Sequence, residues 1–214
     1  SYNIPVVAVT LKPIKIGFGY GTEIRSSDFE QVLPDHPGIE ELVKSYQPLA
    51  IIPGSEAGVP LADQLSNRLT PQFANDPHKS LNRYHKAYMQ KALESEGLAF
   101  LKTIHSSSIH EVGDWLESNK LQSSPLIVKP PVSAGSNHVF HISPQGDWKK
   151  AFFKVLSEPS NMNGRLNPSV VVQEQAIGEE YAVGTVSAKG KHYLSHLIKY
   201  TKTSMNGRKT VYDY

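Results

Sequence analysis

The sequence predicts an α/β protein: a parallel sheet with crossover helices near the N-terminus, then a smaller α+β unit and a terminal β-hairpin. Three observations carry this. Apolar runs at 4–10 and 49–52 alternate with segments whose apolar residues recur at helical spacing, the order of a parallel sheet. From Pro125 an apolar run ends in a lysine and leads through a small-residue loop into a second run, with an amphipathic helix behind it. Two β-rich runs then flank Lys189-Gly190, a hairpin signal.

Bulk composition narrows the class. The 214 residues allow one large domain or two small ones. With 39% hydrophobic and 20% charged residues the chain can bury a core, unlike a disordered segment. A net charge of +2 does not call for nucleic acid. Without cysteine the chain holds no disulfide scaffold, thiolate metal site or cysteine nucleophile. No apolar run approaches the ~20 residues of a membrane helix, and no signal-peptide pattern opens the chain. A soluble, cytoplasmic protein without a membrane partner is expected.

In chain order, Ile4 to Thr10 is β-branched and reads as a buried strand. Residues 12–35 are rich in glycine and proline; Gly17-Phe-Gly-Tyr-Gly21 lacks the third glycine of a dinucleotide fingerprint at its spacing and reads as a loop. Ile39, Leu42, Val43 and Tyr46 share one face of a short helix, Leu49–Ile52 is the next expected strand, and Val59, Ala62, Leu65 and Leu69 trace a second helix. Ligands gather beyond the carboxyl ends of such strands, which puts Ser55 and Glu56 in a plausible position; Glu56 could equally serve only the helix dipole. Asp76-Pro77 starts a helix that runs to Gly97, with Arg83 and Lys86 off or beside its apolar face. Residues 98–103 are an expected strand, and Ile109, Val112, Trp115 and Leu116 a helix. Leu126–Val128 and Val139–Ile142 are strands, and Trp148 to Leu156 is a helix capped by Asp147, its aromatics in the core. Residues 157–168 read as a loop, Val170–Glu174 as a strand, Glu180–Val186 and Tyr193–Tyr200 as a hairpin, and Asn206-Gly207 as a turn.

The stretch from Pro125 to Ile142 carries the chemistry. Its first strand delivers Lys129 beside Ser133-Ala134-Gly135-Ser136. Small side chains let backbone N–H groups approach phosphate oxygens, and an ammonium adds a point charge. This is no Walker loop, since the lysine precedes the glycine. An ordinary hairpin with a basic residue is the plain alternative.

Three patterns in order resemble the ATP-grasp superfamily, with the nearest likeness to bacterial L-amino-acid (dipeptide) ligases and related carboxylate–amine ligases. Asn75-Asp76 through Lys86 and Met89 to Gly97-Leu98 is the first. Ile127-Val-Lys-Pro130 with Ser133 to Val139 is the second, and Gln173-Glu-Gln-Ala-Ile-Gly-Glu-Glu-Tyr181 the third. The resemblance implies a partial Rossmann-like pre-grasp domain over 1–74 and linking helices and a strand over 75–121. It implies a grasp lid over 122–178 and the start of the C-terminal grasp subdomain over 179–214. It implies ATP as cofactor, with Lys86 and Lys129 on its phosphates and Ser133, Gly135 and Ser136 in a lid loop above them. Gln173 or Glu174 would accept from the adenine amino group, Ala176 would offer its N–H to the purine, and Glu180 would hold the ribose hydroxyls. The partners implied are a small carboxylate and an amine, with a homodimer common among such proteins.

The family's acidic Mg²⁺ ligands and its acyl-phosphate arginine have no match before Tyr214, so the metal ligands are expected outside this chain, which reads as a fragment cut at both ends and inactive alone. The rival is a non-catalytic nucleotide-binding or scaffolding module. An NAD-dependent oxidoreductase fails on the missing glycine fingerprint. A zinc hydrolase fails because His138 and His141, three apart on a strand, would face opposite sides.

Overall fold

The computed structural model describes residues 4–11, 26–159, 166–205 and 208–213, with the backbone alone at 26, 202–205 and 208–213. The Gly17–Gly21 loop, residues 160–165 of the polar segment and the Asn206-Gly207 turn lie outside the described residues.

Strand β1 (Val7–Thr10) pairs in parallel with β2 (Gln31–Pro34), Val7 opposite Gln31. β2 falls where an irregular stretch was expected. It has four residues, only Leu33 is fully buried, and a proline ends it, so no run of apolar residues announced it. Helices α1 (Ile39–Ser45) and α2 (Val59–Leu69) cover the pair, and Leu33, Ile39, Val43 and Leu65 form a small core with Val7 and Val9 against it. The strand expected at Leu49–Ile52 does not form. Ile51 packs on this core, but Leu49 and Ile52 are 76% and 82% exposed. Apolar residues make a strand only when a neighbouring backbone supplies the ladder, and no described strand lies beside these four.

Buried Asp63 on α2 accepts hydrogen bonds from the side chains of Ser80 and Arg83, tying α2 to the segment around residue 80. Burial also pushes the Arg83 pKa down, the mark of a partly desolvated cation. Replacing Asp63 by alanine strands a half-buried guanidinium. The expected loss is about 2 kcal/mol, read from urea unfolding, with Asp63→Asn recovering part of it.

The single helix expected from Asp76 to Gly97 is three pieces. Asp76 caps a 3₁₀ turn (Pro77–Lys79), α3 spans Leu81–Tyr84, and α4 spans Lys86–Ser95, with Gly97 at φ +67° after it. The break lies at His85 (φ −95°, ψ 115°), whose ring nitrogen accepts from the Tyr88 N–H. The Lys86 N–H donates instead to the Pro131 carbonyl at 3.0 Å. A tertiary hydrogen bond has replaced an intrahelical one, and it makes Lys86 the first residue of α4. No local pattern encodes that.

The next strand, β3, is Thr103–Ser106 rather than 98–103; Leu98 and Phe100 are exposed. Helix α5 (Ile109–Ser118), strands β4 (Leu126–Lys129) and β5 (Phe140–Ile142), helix α6 (Trp148–Ser157) and strand β6 (Val170–Glu174) fall where expected. The strands make one antiparallel sheet in the order β3-β6-β4-β5. Its pleat sorts the side chains. Leu126, Val128, Val170 and Val172 face α5 and α6 and meet Val112, Leu116, Phe152 and Val155 in the main core. Alternate residues, Ile127, Lys129 and Gln173 among them, point the other way. Asp147 caps α6 by accepting from the Lys150 N–H. Phe152 is fully buried as expected, but Phe153 is 57% exposed, on the outer side of the same helix.

Strands β7 (Glu180–Ala188), β8 (Lys191–Met205) and β9 (Arg208–Asp213) form a separate antiparallel sheet. Lys189 (φ 50°) and Gly190 (φ 73°) make its expected two-residue turn.

Candidate functional site

A cleft of about 590 Å³ opens on the face of the four-stranded sheet away from its helices. The sheet contributes Ile127, Lys129, His141 and Gln173, each at the parity opposite to the core residues. Helix α4 contributes Lys86, the loop before α2 contributes Glu56, and the segment after β6 contributes Gln175 and Ala176, with Glu180 at the start of β7. Ser133 to Asn137 border it from the β4–β5 connection.

Both ammonium groups lie here. Lys129 ends β4 and donates to Gln173 Oε1 at 2.7 Å. Removal from water, and then the nearby Lys86, bring its pKa down to about 8. Lys86 donates to the Ser133 carbonyl at 2.6 Å. Burial lowers its pKa as well, and Glu56 partly opposes that. Two desolvated cations that repel one another can be offset by an anionic ligand, in a cleft that Glu56 and Glu180 also line.

The loop above them is held in an unusual backbone. Gly135 (φ 63°), Ser136 (φ 56°) and His138 (φ 52°) are all left-handed. Only glycine adopts this freely, so the side chains at 136 and 138 carry a cost that the surrounding contacts must offset. Ser133 is buried, and its hydroxyl reaches the Asn137 carbonyl at 3.5 Å. His138 therefore sits in the loop, not on a strand; of the two histidines only His141 is in β5 and lines the cleft. Among the described residues no group of three His, Asp or Glu side chains gathers as a metal site.

Of the nine residues singled out from the sequence, Lys86, Lys129, Ser133, Gly135, Ser136, Gln173, Ala176 and Glu180 line this cleft. Glu174 does not. It shares the parity of Val170 and Val172, and its carboxylate accepts from the Lys102 N–H at 2.7 Å. The Gln173 side chain is also occupied: its carbonyl faces Lys129 and its amide N–H₂ donates to Thr103 Oγ1 at 2.8 Å. Both side chains are thus already engaged within the protein. The Gln175 N–H still donates to the Pro125 carbonyl at 3.0 Å, and beyond it the chain leaves the ladder until β7. Glu56 and His141 were not among the nine. Glu56 was pointed to only through the strand expected at Leu49–Ile52, which does not form, and alternation with Phe140 and Ile142 could have pointed to His141. Thr103 carried no signal.

Residues 122–212 match the family model described as ATP-grasp domain. Over 176 residues it is 32% identical to dapdiamide A synthase of Enterobacter agglomerans, a match covering 80% of this chain and 41% of that protein. Two solved structures share the fold. The L-amino acid ligase of Bacillus licheniformis superposes with a TM-score of 0.55 at 17% identity, over 86% of this chain and 43% of its own. The VanG D-Ala:D-Ser ligase of Enterococcus faecalis gives 0.52 at 14%, over 75% and 45%. The chain thus spans less than half the length of each of these relatives.

Proposed function

We propose that this chain forms the nucleotide-binding part of an ATP-dependent carboxylate–amine ligase. The single observation that carries this is the convergence of Lys86 and Lys129 on one cleft under the Ser133–Ser136 loop, within an ATP-grasp fold. The relatives named as amino acid ligases and a dapdiamide synthase support the reaction class.

The residues present fit ATP. Two ammonium groups converging on one cleft suit a triphosphate, with Glu56 and Glu180 as the carboxylates beside them. Leu101, Ile127 and Val139 offer an apolar wall for a purine, next to the open main chain at Ala176. Glu180 is an acceptor for ribose hydroxyls. ATP supplies a phosphoryl group that converts a carboxylate to an acyl-phosphate, which an amine displaces with release of ADP and phosphate. Within that reaction Lys129 and Lys86 neutralise phosphate charge from two sides of the cleft, and the small-residue loop shields it from water. The carboxylate and amine are proposed to be amino acids. Mg²⁺, a homodimeric state and a cytoplasmic location belong to the same proposal. The described residues do not gather a metal site, so no step is assigned to the ion.

The reading is tested by phosphate release from ATP by the full-length protein, with and without paired amino acids. Release that depends on the pair is expected. A second reading is a nucleotide-binding module without turnover; nucleotide binding without release under any pair would establish it. The ribose contact has its own test. Glu180→Ala is expected to weaken ATP binding by about tenfold, ~1.4 kcal/mol, while leaving a 2′,3′-dideoxy analogue unaffected. Equal losses for the two nucleotides would remove Glu180 from the ribose.

A further inference from the structure

We propose that Thr103 is a positioning residue for the nucleotide site: it fixes the rotamer and amide orientation of Gln173, which in turn aims the Lys129 ammonium into the cleft. The inference rests on the function proposed above and names residues that neither the family match nor the relatives assign.

Three adjacent strands carry the three side chains. Thr103 on β3 is the direct register partner of Gln173 on β6. Gln173 is opposite Ile127 on β4, and Lys129 lies two residues further along that strand, on the same face. The hydrogen bonds run in one direction. The Thr103 hydroxyl donates its single proton to the Leu101 carbonyl at 2.8 Å. Its oxygen can then only accept, and it accepts from Gln173 Nε2 at 2.8 Å. That leaves Gln173 Oε1 on the opposite side, where it accepts from Lys129 Nζ at 2.7 Å. A flipped amide would set N–H₂ against an ammonium at one end and a carbonyl against a lone pair at the other. Gln173 is 4% exposed, so little water reaches it to correct such an error. The orientation of this amide is thereby set from β3, a strand that contributes no charge to the cleft.

The consequence for the ligand is specific. Lys129 shares the cleft with Lys86 from α4, Glu56 from the loop before α2, His141 from β5 and Glu180 from β7. Without a fixed acceptor its flexible stem could swing toward either carboxylate. Gln173 holds it without adding a negative charge, so the cation remains available to a phosphate.

The test is a double-mutant cycle on nucleotide affinity, read by calorimetry with a non-hydrolysable ATP analogue. Thr103→Val keeps the shape and β propensity but removes the acceptor. It is expected to weaken binding by about tenfold, and Thr103→Ser, which restores the hydroxyl, to stay within about twofold of the parent. In a Lys129→Met background Thr103→Val is expected to add nothing, because Thr103 acts through that lysine. The Lys129 side-chain resonance, followed by NMR without nucleotide, should titrate differently in Thr103→Val and normally in Thr103→Ser. A tenfold loss that persists in the Lys129→Met background, or equal affinity for Thr103→Val and parent, overturns the inference. If Lys129→Met itself leaves affinity unchanged, the proposed nucleotide site fails instead.

Discussion

Replacing Lys129 by alanine is expected to weaken binding of an ATP analogue by about thirtyfold, ~2 kcal/mol, while the protein stays folded. The size follows from the setting. A charge-assisted contact in a partly desolvated cleft is worth more than a surface ion pair, and among the described residues no other lysine or arginine of this sheet lines the cleft. Folding does not depend on the ammonium, which burial disfavours and which stands at a strand end outside the main core. The pH dependence adds an independent check. With a pKa lowered to about 8, Lys129 loses its charge as pH rises through that value, so affinity should fall between pH 7 and pH 9. The Lys129→Ala protein should lack that component. For the ligand-free protein the sign is opposite. Between about 8 and the ordinary lysine value of 10.5 the unfolded chain binds the extra proton and the folded one does not, so stability rises with pH across that window. A dissociation constant unchanged by the substitution would remove Lys129 from the site.

The second large effect belongs to the core. Phe152→Ala is expected to cost ~3–5 kcal/mol, because the ring is fully buried between α6 and the strands that carry Lys129 and Gln173. That is a large part of the ~5–15 kcal/mol that stabilises an ordinary domain, so nucleotide binding should be lost with the sheet. Phe153→Ala, one residue on and 57% exposed, serves as the comparison and should cost under ~1 kcal/mol. Denaturant midpoints for the two variants decide the matter. Equal midpoints would mean that the face of α6 has been assigned wrongly.

Much of the fold was legible in the chain because it is written in local periodicity. The apolar spacing of α5 and α6, the Asp147 cap, the glycine after α4 and the Lys189-Gly190 turn each follow from residues within a few positions of one another. Where the expectation failed, the deciding partner was distant. Leu49–Ile52 looks like a strand but has no ladder beside it among the described residues, and Gln31–Pro34 does not look like one but has β1. The helix around Lys86 breaks because the Pro131 carbonyl, far along the chain, takes its N–H.

The site divides along the same line. Residue type and order singled out Lys129 and the small-residue loop, and the family resemblance added Lys86 and Glu180. Strand alternation was enough in principle to separate Gln173 from Glu174, since Val170 and Val172 already marked the core face. What the amino-acid order determined by itself was which chemical groups are present and the locally patterned elements α5, α6, β4 and β6, because those depend on near neighbours. That the two ammonium groups share one cleft, and that the Gln173 amide is spent between Thr103 and Lys129, was decided only by tertiary structure. Both depend on how β3, β6 and β4 lie side by side, and hydrogen-bond partners 44 and 70 positions apart in the chain leave no local trace.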